Sequence, residues 1–334
     1  MDVHGYAWAA TIAIMVAILG FDIFVIGRRP HEPSMKEAGA AIAVFVGLAV
    51  VFGLGVWFVS GPRYAGEFFA GWLTEYSLSI DNLFIFLIIM AKLKVPRALQ
   101  QFALLVGIVL ALVFRGIFIA VGAAAIDRFV WVFFLFGAFL LYTAVRLVID
   151  YRNHDDDEEA PDNALLRFVR RRFPSTEDFD GPHLTVKRDG KRLITPMLVV
   201  IVALGSTDLL FALDSIPAIY GLTQEPYLVF TANVFALMGL RQLYFLLGGL
   251  LRKLVYLSIG LSIILAFIGV KLVFHALHEY HLDDRLGLPF GLEIPIWLSL
   301  VVIIATLTVT AVASLLKSRR DENRARSAGS GTAA

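Results

Sequence analysis

Residues 72–90 read WLTEYSLSIDNLFIFLIIM, a stretch long enough to form a transmembrane helix although it contains Glu75 and Asp81. A hydrocarbon core about 30 Å thick is crossed by roughly 20 helical residues. A carboxylate inside such a segment is expensive, and it is by default a functional-site hypothesis. This stretch therefore predicts a membrane-spanning fold with a polar site inside it.

The acidic pattern of this stretch occurs a second time, 133 residues later, in the sequence IVALGSTDLLFALDSIPAIY of residues 201–220. In each copy a threonine and an acid are followed, after five residues, by an aspartate and a polar residue. Two membrane-embedded copies of one acidic pattern predict a pseudo-symmetric site for a cation. The pattern consists of Thr74, Glu75, Asp81 and Asn82 in the first copy and of Thr207, Asp208, Asp214 and Ser215 in the second.

The composition of the whole chain is that of a membrane protein. Of its 334 residues, 58% are hydrophobic and only 17% are charged. Such a composition, with apolar runs much longer than core strands, predicts an all-α polytopic membrane protein with about nine transmembrane helices. The predicted segments are 5–27, 39–60, 65–91, 98–124, 128–150, 195–216, 228–250, 254–278 and 293–316.

The basic residues are sorted by side of the membrane. Connections on one side carry 22 Lys and Arg residues, whereas those on the other side carry only Arg63, Arg128 and Arg285. By the positive-inside rule, this asymmetry predicts a multi-pass protein of the cell membrane with its N-terminus outside and its C-terminus in the cytoplasm. An odd number of crossings agrees with that orientation.

The predicted segments divide the chain into six parts. The loop contains two short strands around Asp189-Gly190, which is typical of a type I′ hairpin turn, and it is a possible site for protein partners. The parts are two N-terminal helices (1–60), a first three-helix unit (61–150), a cytoplasmic loop (151–194), a second three-helix unit (195–280), a last helix (281–317) and a disordered tail (318–334).

The two three-helix units carry polar residues in the same order. Each begins with an acidic helix, has an arginine within its second helix (Arg115 or Arg241), and has a base near the end of its third (Arg146 or Lys271). A unit of three helices reverses its direction when it is repeated. We therefore expect an inverted repeat about an axis in the membrane plane, with a binding site near the midplane.

Helix geometry limits what each acidic copy can do alone. Residues six apart lie about 120° around the helix and about 9 Å along it, so Glu75 and Asp81 cannot chelate one ion together in an unbroken helix. Inversion instead predicts that Glu75 faces Asp214 and that Asp81 faces Asp208. Residues seven apart share a face, which places Ser215 beside Asp208.

A purely structural interpretation remains open for these acids. The four membrane bases Arg115, Arg241, Arg146 and Lys271 could neutralise them as ion pairs. The same bases could also couple the site to transport, by exchanging partners when an ion binds. Protonation of one carboxylate is another possible coupling step.

The available ligands are oxygen atoms, which suit Mn²⁺, Mg²⁺ or Ca²⁺. The chain has no cysteine, so thiolate metal sites are excluded. Pro217 could interrupt its helix and expose a carbonyl oxygen as a further ligand. A weaker candidate is a histidine cluster, although an exposed polar helix end at the membrane interface explains it more simply. Its members are His275, His278 and His281, followed by Asp283 and Asp284.

Several stretches resemble the TerC/Alx family of integral membrane proteins, which is named for tellurium resistance. The similar stretches are EYSLSIDNLFIF (75–86), TDLLFALDSIPAIY (207–220), VFTANVFALMGLRQLYFLL (229–247), and residues 168–174 and 190–196 of the loop. They occur in matching order over residues 60–280. The resemblance implies a divalent-cation transporter that exports Mn²⁺. It places the metal at Glu75, Asp81, Asn82, Asp208, Asp214 and Ser215.

The function expected is export of Mn²⁺ by alternating access, with no permanently bound cofactor, no enzymatic activity and no nucleic-acid partner. The partners expected are the divalent ion and the lipid bilayer. Two alternatives stay open. One is a membrane scaffold that recruits stress-response partners through the loop, and the other is efflux of the tellurite oxyanion by way of Arg115 and Arg241.

Overall fold

The computed structural model describes residues 3–28, 34–153, 179–188, 191–247, 255–280 and 294–330. These residues form ten helices and one hairpin, and the predicted all-α membrane fold is confirmed. The elements are α1 (Gly5–Arg28), α2 (Met35–Ser60), α3 (Pro62–Lys92), α4 (Arg97–Arg128), α5 (Val132–Asn153), β1 (Thr185–Arg188), β2 (Lys191–Ile194), α6 (Pro196–Tyr220), α7 (Pro226–Met238), α8 (Leu240–Leu247), α9 (Leu257–Glu279) and α10 (Ile296–Ser330).

Eight helical segments within these described ranges are long and apolar enough to cross a membrane. One of them, Pro226–Leu246, is made of α7 and α8 together. In α1, the first of the nine predicted crossings, the apolar stretch Gly5–Ile18 is shorter than the others. The structure thus supports a polytopic membrane protein with at least eight candidate spans.

Helix starts follow local sequence signals. Proline occupies the first turn of α3, α6 and α7, where its missing N–H costs no hydrogen bond. At α2, Ser34 and Glu37 form a capping box. The backbone N–H of Ser34 donates to Oε2 of Glu37 at 2.8 Å, and the backbone N–H of Glu37 donates to Oγ of Ser34 at 3.2 Å. These signals set where the acidic helices begin and therefore which residues reach the interior.

The helix that was predicted at 228–250 is interrupted at Gly239, which separates α7 from α8 just before Arg241. Glycine weakens a helix because it gains the most backbone freedom on unfolding. The break expected at Pro217 is not found, and α6 continues to Tyr220. Pro217 lies in the last turn of α6, where a missing N–H removes a single hydrogen bond near the helix end.

The acidic helices α3 and α6 lie inside the bundle and contact each other. The most extensive helix contacts join α5 with α9, α3 with α7, and α4 with α6. By contrast, α2 and α10 turn most of their apolar side chains outward, as lipid-facing helices do. Both copies of the acidic pattern are therefore held away from lipid.

The loop predicted at 151–194 is described only in part. Its hairpin is confirmed, with Arg188 opposite Lys191 and Val186 opposite Leu193 in an antiparallel ladder. Residues 154–178 and the predicted turn Asp189-Gly190 lie outside the described residues. At the other end of the chain, α10 extends to Ser330 into the tail expected to be disordered, because Lys, Arg, Glu and Ala after residue 316 favour continuation of the helix.

The contact between α5 and α9 depends on two glycines. A Cβ atom added at Gly137 would lie 2.9 Å from the backbone oxygen of Gly269 and 2.8 Å from Cγ2 of Val273. Small residues at such a crossing allow two membrane helices to approach closely. The α5–α9 pair is therefore packed backbone against backbone at this point.

We expect Gly137→Ala to destabilise the protein by about 1–3 kcal/mol, because the new methyl group meets backbone that cannot move aside. Gly116→Ala on α4 is the matched control, since nothing lies within 4 Å of its added Cβ. Thermal unfolding in detergent measures both. Equal unfolding temperatures for the two variants would show that the α5–α9 crossing is not tightly packed.

Candidate functional site

Arg115 on α4 lies at the centre of a buried polar cluster. Its Nε and Nη2 atoms donate to the two carboxylate oxygens of Asp208, at 3.3 and 3.2 Å. Nη1 is paired with Oε1 of Glu75, and it also donates to Oγ of Ser215 at 3.3 Å and to Oδ1 of Asn233 at 2.9 Å. One guanidinium thus joins α3, α4, α6 and α7.

The positions on α6 follow from helical spacing. Asp208 and Ser215 are seven residues apart, share a face, and both contact Arg115, as predicted. The side chain of Arg115 is only 1% exposed and that of Asp208 only 4%. A two-pronged arginine–carboxylate pair in such surroundings is much stronger than an exposed one.

Glu75 approaches from the opposite helix. It is completely buried on α3, and its Oε1 also accepts a hydrogen bond from Ser79, one turn further along, at 3.4 Å. Residues four apart share a helix face, which places Ser79 beside Glu75. Together Glu75, Arg115 and Asp208 leave one net negative charge if both acids are ionised, and this charge lies away from water.

Three buried oxygen atoms of the two acidic patterns have no hydrogen-bond partner among the described residues: Oε2 of Glu75, Oγ1 of Thr74 and Oγ1 of Thr207. All three are buried, and the two threonines occupy equivalent positions in the two acidic copies. Buried polar atoms in proteins are almost always hydrogen-bonded, so each exception calls for an explanation. Oxygen ligands for a hard cation are one such explanation.

Asn233 is a site residue that we did not predict from sequence. It is 1% exposed on α7, accepts from Arg115 and donates through Nδ2 to the backbone oxygen of Val229 at 3.1 Å. The available signal was a single amide in the otherwise apolar run VFTANVFALM. Asn233 carries no charge and lies outside both acidic patterns, so neither feature of the sequence pointed to it.

The expected pairing of Glu75 with Asp214 is not the arrangement observed. Glu75 shares Arg115 with Asp208, whereas Asp214 accepts a hydrogen bond from Thr143 of α5 at 3.1 Å and lies within electrostatic range of Arg146. Membrane depth alone had suggested the pairing. Direction around the helix decides it, since Asp214 is about 120° from Asp208 and faces α5, while the long arginine bridges the difference in depth.

The remaining predicted residues are spread over the bundle. Asn82 is buried on α3, and the side chain of Asp81 lies outside the described residues, so its pairing with Asp208 stays a prediction. Arg241 lies in the first turn of α8 after the break, and Lys271 donates to Ser299 of α10 at 3.4 Å. Of the four bases, Arg115 has direct contacts to two of the predicted acids.

The histidine cluster is only partly described. The Nε2 atom of His275 lies 2.6 Å from Nε2 of Gln224, and its ring meets Phe133 edge-on. His278 lies on the last turn of α9, and His281 is outside the described residues. Among the described residues, no group of three or more His, Asp or Glu side chains is arranged to hold a metal.

Chemically, the cluster can exchange one cation for another. A guanidinium already occupies the space between Glu75 and Asp208, so an incoming divalent ion must displace it from at least one carboxylate. The neutral oxygens of Ser215 and Asn233 also bind the guanidinium and could retain it. The unpartnered oxygens of Glu75, Thr74 and Thr207 would then serve the ion.

We expect Arg115→Gln to cost about 3–5 kcal/mol of stability, because it leaves Glu75 and Asp208 buried without a counter-charge. Combining it with Glu75→Gln and Asp208→Asn should restore most of the loss, since a neutral cluster has no charge to compensate. Unfolding in detergent gives the measurement, with the exposed Arg128→Gln as control. An Arg115→Gln protein as stable as the control would contradict the assignment.

Comparisons with known proteins agree with this membrane architecture. The model of the family described as "Integral membrane protein TerC family" matches residues 60–322. An uncharacterized membrane protein of Myxococcus xanthus is 41% identical over 93% of this chain and 92% of its own length. An uncharacterized membrane protein of Mycobacterium tuberculosis is 44% identical over 96% of this chain and 81% of its own length.

A further relative, from Escherichia coli K12, is named "Putative membrane-bound redox modulator Alx" and is 37% identical over 85% of this chain and 90% of its own length. No solved structure matches the chain. The family model covers most of the sequence and includes all four helices that meet at Arg115. The chain is therefore a member of the TerC family of integral membrane proteins.

Proposed function

We propose that this protein exports divalent metal cations, with Mn²⁺ as the principal substrate, across the cell membrane. The observation that supports this most directly is the pair of buried carboxylates, Glu75 and Asp208, which share one arginine and belong to acidic patterns that contain three unpartnered buried oxygens. An oxygen-only set of this kind suits Mn²⁺, Mg²⁺ or Ca²⁺. The preference for Mn²⁺ rests on the family resemblance.

In this proposal Arg115 is a built-in substitute for the transported ion. When the site is empty, the guanidinium neutralises both carboxylates and makes their burial tolerable. When Mn²⁺ binds, Arg115 dissociates from Glu75 and remains hydrogen-bonded to Ser215 and Asn233. The cluster thus keeps its acids compensated throughout the cycle, and binding is coupled to a rearrangement among α3, α4, α6 and α7.

Alternating access would use the two three-helix units, α3–α5 and α6–α9. In the predicted repeat, α3 corresponds to α6, α4 to α7 with α8, and α5 to α9. The contact between α3 and α7 therefore corresponds to the contact between α6 and α4, and the contact between α5 and α9 corresponds to itself. Among the described residues these three are the most extensive helix contacts, and this pattern supports a two-fold relation between the units, such as an inverted repeat has. The charge distribution supports the orientation with the N-terminus outside and the C-terminus in the cytoplasm.

The two alternatives receive less support. A tellurite oxyanion would have to take Arg115 from two carboxylates that already bind it. A scaffold acting through the 151–194 loop gives no reason for a charged cluster buried between four helices. The name of the Escherichia coli relative suggests a redox role, but this chain contains no cysteine to serve as a redox group.

We expect Glu75→Gln and Asp208→Asn each to abolish protection against manganese, because either change removes a charged ligand. In a strain that lacks the native protein, cells carrying either variant should retain as much Mn after a manganese challenge as cells with no copy. Asp127→Asn, an exposed carboxylate on α4, is the control and should export like wild type. Equal Mn content in all strains would contradict the proposal. Loss of tellurite tolerance in Arg115→Gln alone would favour oxyanion efflux instead.

Asp214 is assigned a separate role, as the proton carrier that drives export. It is half-buried, it is bound by the neutral hydroxyl of Thr143, and its direct contacts are outside the Arg115 cluster. A carboxylate in such a place can gain and lose a proton without competing for the metal. In this proposal the two acids of α6 have different roles on different faces of the helix, since Asp208 binds the metal and Asp214 carries the proton.

We expect Asp214→Asn to bind Mn²⁺ with unchanged affinity and to lose the acceleration that a pH gradient gives to transport. Purified protein in liposomes permits both measurements, by equilibrium binding and by Mn²⁺ flux with and without the gradient. Glu279→Gln, at the exposed end of α9, serves as control. If Asp214→Asn still responds to the gradient like wild type, the proton is carried elsewhere.

A further inference from the structure

An apolar groove lies on the surface of the bundle between α4, α5 and α6. Its volume is about 470 Å³, and pockets that hold small organic ligands have volumes of about 300–1,000 Å³. Val121, Leu135 and Leu213, one residue from each helix, line the groove and are exposed. The gap exists because α5 packs mainly against α9 and contacts α4 and α6 much less. The groove therefore opens towards the hydrocarbon of the membrane.

The length of the groove matches one leaflet of a bilayer. On α4 the lining extends from Phe118 to Phe129, a distance of about 16 Å along a helix axis. Half of a hydrocarbon core that is about 30 Å thick measures about 15 Å. The other walls are the start of α5 and the last turns of α6 up to Pro217. In the proposed orientation these ends lie on the outer side, so the groove occupies the outer leaflet.

A base lies at the end of the groove where α4 ends. Arg128 comes seven residues after Val121 and three after Ala125, both of which line the groove, so it lies on their face of the helix. It is exposed, and no hydrogen bond or ion pair joins it to another of the described residues. Asp127 is also exposed, but it leaves the helix about 160° away from Ala125. The neighbouring acid therefore does not neutralise Arg128 on the side of the groove.

We propose that this groove binds one acyl chain of a glycerophospholipid and that Arg128 binds the phosphate of the same lipid. A guanidinium suits a phosphate because it can donate two parallel hydrogen bonds to it. Trp131 lines the groove and is exposed just after the end of α4, and tryptophan is enriched at the depth of the lipid head groups. This inference depends on the membrane fold and goes beyond the proposed metal transport.

The inner end of the groove lies next to the residue that is proposed to carry the proton. Leu213, which lines the groove, directly precedes Asp214 on α6. On α5, Phe139 lines the groove one turn before Thr143, whose hydroxyl donates to Asp214. A bound chain therefore covers the part of α5 and α6 that holds Asp214.

The first test measures lipid binding by native mass spectrometry of the purified full-length protein, freed of lipid in detergent. Phosphatidylglycerol offers both chains and a phosphate, diacylglycerol offers the chains alone, and glycerol 3-phosphate offers the phosphate alone. We expect phosphatidylglycerol to bind about fivefold more tightly than diacylglycerol, since one base near a membrane surface contributes that much. Glycerol 3-phosphate should not bind. In Arg128→Gln the two lipids should bind equally, and an undiminished preference would overturn the role of Arg128.

The second test fills the groove with a larger side chain. Ala125→Trp places an indole among the lining residues, whereas Ala124→Trp changes an exposed neighbour outside the lining and serves as the matched control. We expect Ala125→Trp to bind one phosphatidylglycerol fewer than wild type and Ala124→Trp to bind the same number. Equal binding by the two variants would overturn the site. Dimers that disappear only in Ala125→Trp, with no loss of lipid, would show that a second copy of the chain covers the groove instead.

A third measurement needs no altered protein and so does not depend on how the variants fold. Wild type is placed in phosphatidylglycerol vesicles whose acyl chains carry a photoreactive diazirine, and the labelled residues are mapped by peptide mass spectrometry. We expect labelling of residues 118–139 and 212–217 to exceed that of α2 several-fold, because α2 meets only exchanging lipid. Labelling no stronger than that of α2 would show that the groove holds no bound chain.

Discussion

The sharing of Arg115 by Glu75 and Asp208 is the constraint on which the interior of this protein depends. A single ionised acid or base is costly inside a membrane bundle, and each member of this group is tolerable only because the others are in place. Since the members come from different helices, the helices must meet at one point and in one register. The cluster therefore specifies the packing of α3, α4, α6 and α7 as well as a site.

Most of the fold could be predicted from the sequence, because apolar length determines a membrane helix almost alone. That Asp208 and Ser215 share a helix face followed from their spacing of seven residues. The predicted pairing of Glu75 with Asp214 was wrong because it took account of the depth of each residue in the membrane but not of the direction in which its side chain leaves the helix. Asn233 was missed since it does not belong to the repeated pattern, and only packing reveals that it contacts Arg115.

The break at Gly239 shows where a hydropathy pattern is insufficient. Residues 228–250 are apolar enough for one uninterrupted helix, yet a single glycine ends α7 and lets α8 start afresh with Arg241 in its first turn. Interrupted helices in transporters place backbone ends near the midplane, where their dipoles can act on ions. In this chain the interruption falls in the second helix of the second unit, whereas its counterpart α4 is continuous.

The glycine contact between α5 and α9 has a mechanical consequence. Where the backbones touch at Gly137 and Gly269, no layer of side chains remains that could yield, so the two helices cannot slide past one another without separating. Any rocking that opens the protein to one side must leave this pair as a fixed pivot. The helices that would move are then α3, α4, α6 and α7, which meet at Arg115, and they would turn about a contact between two uncharged glycines.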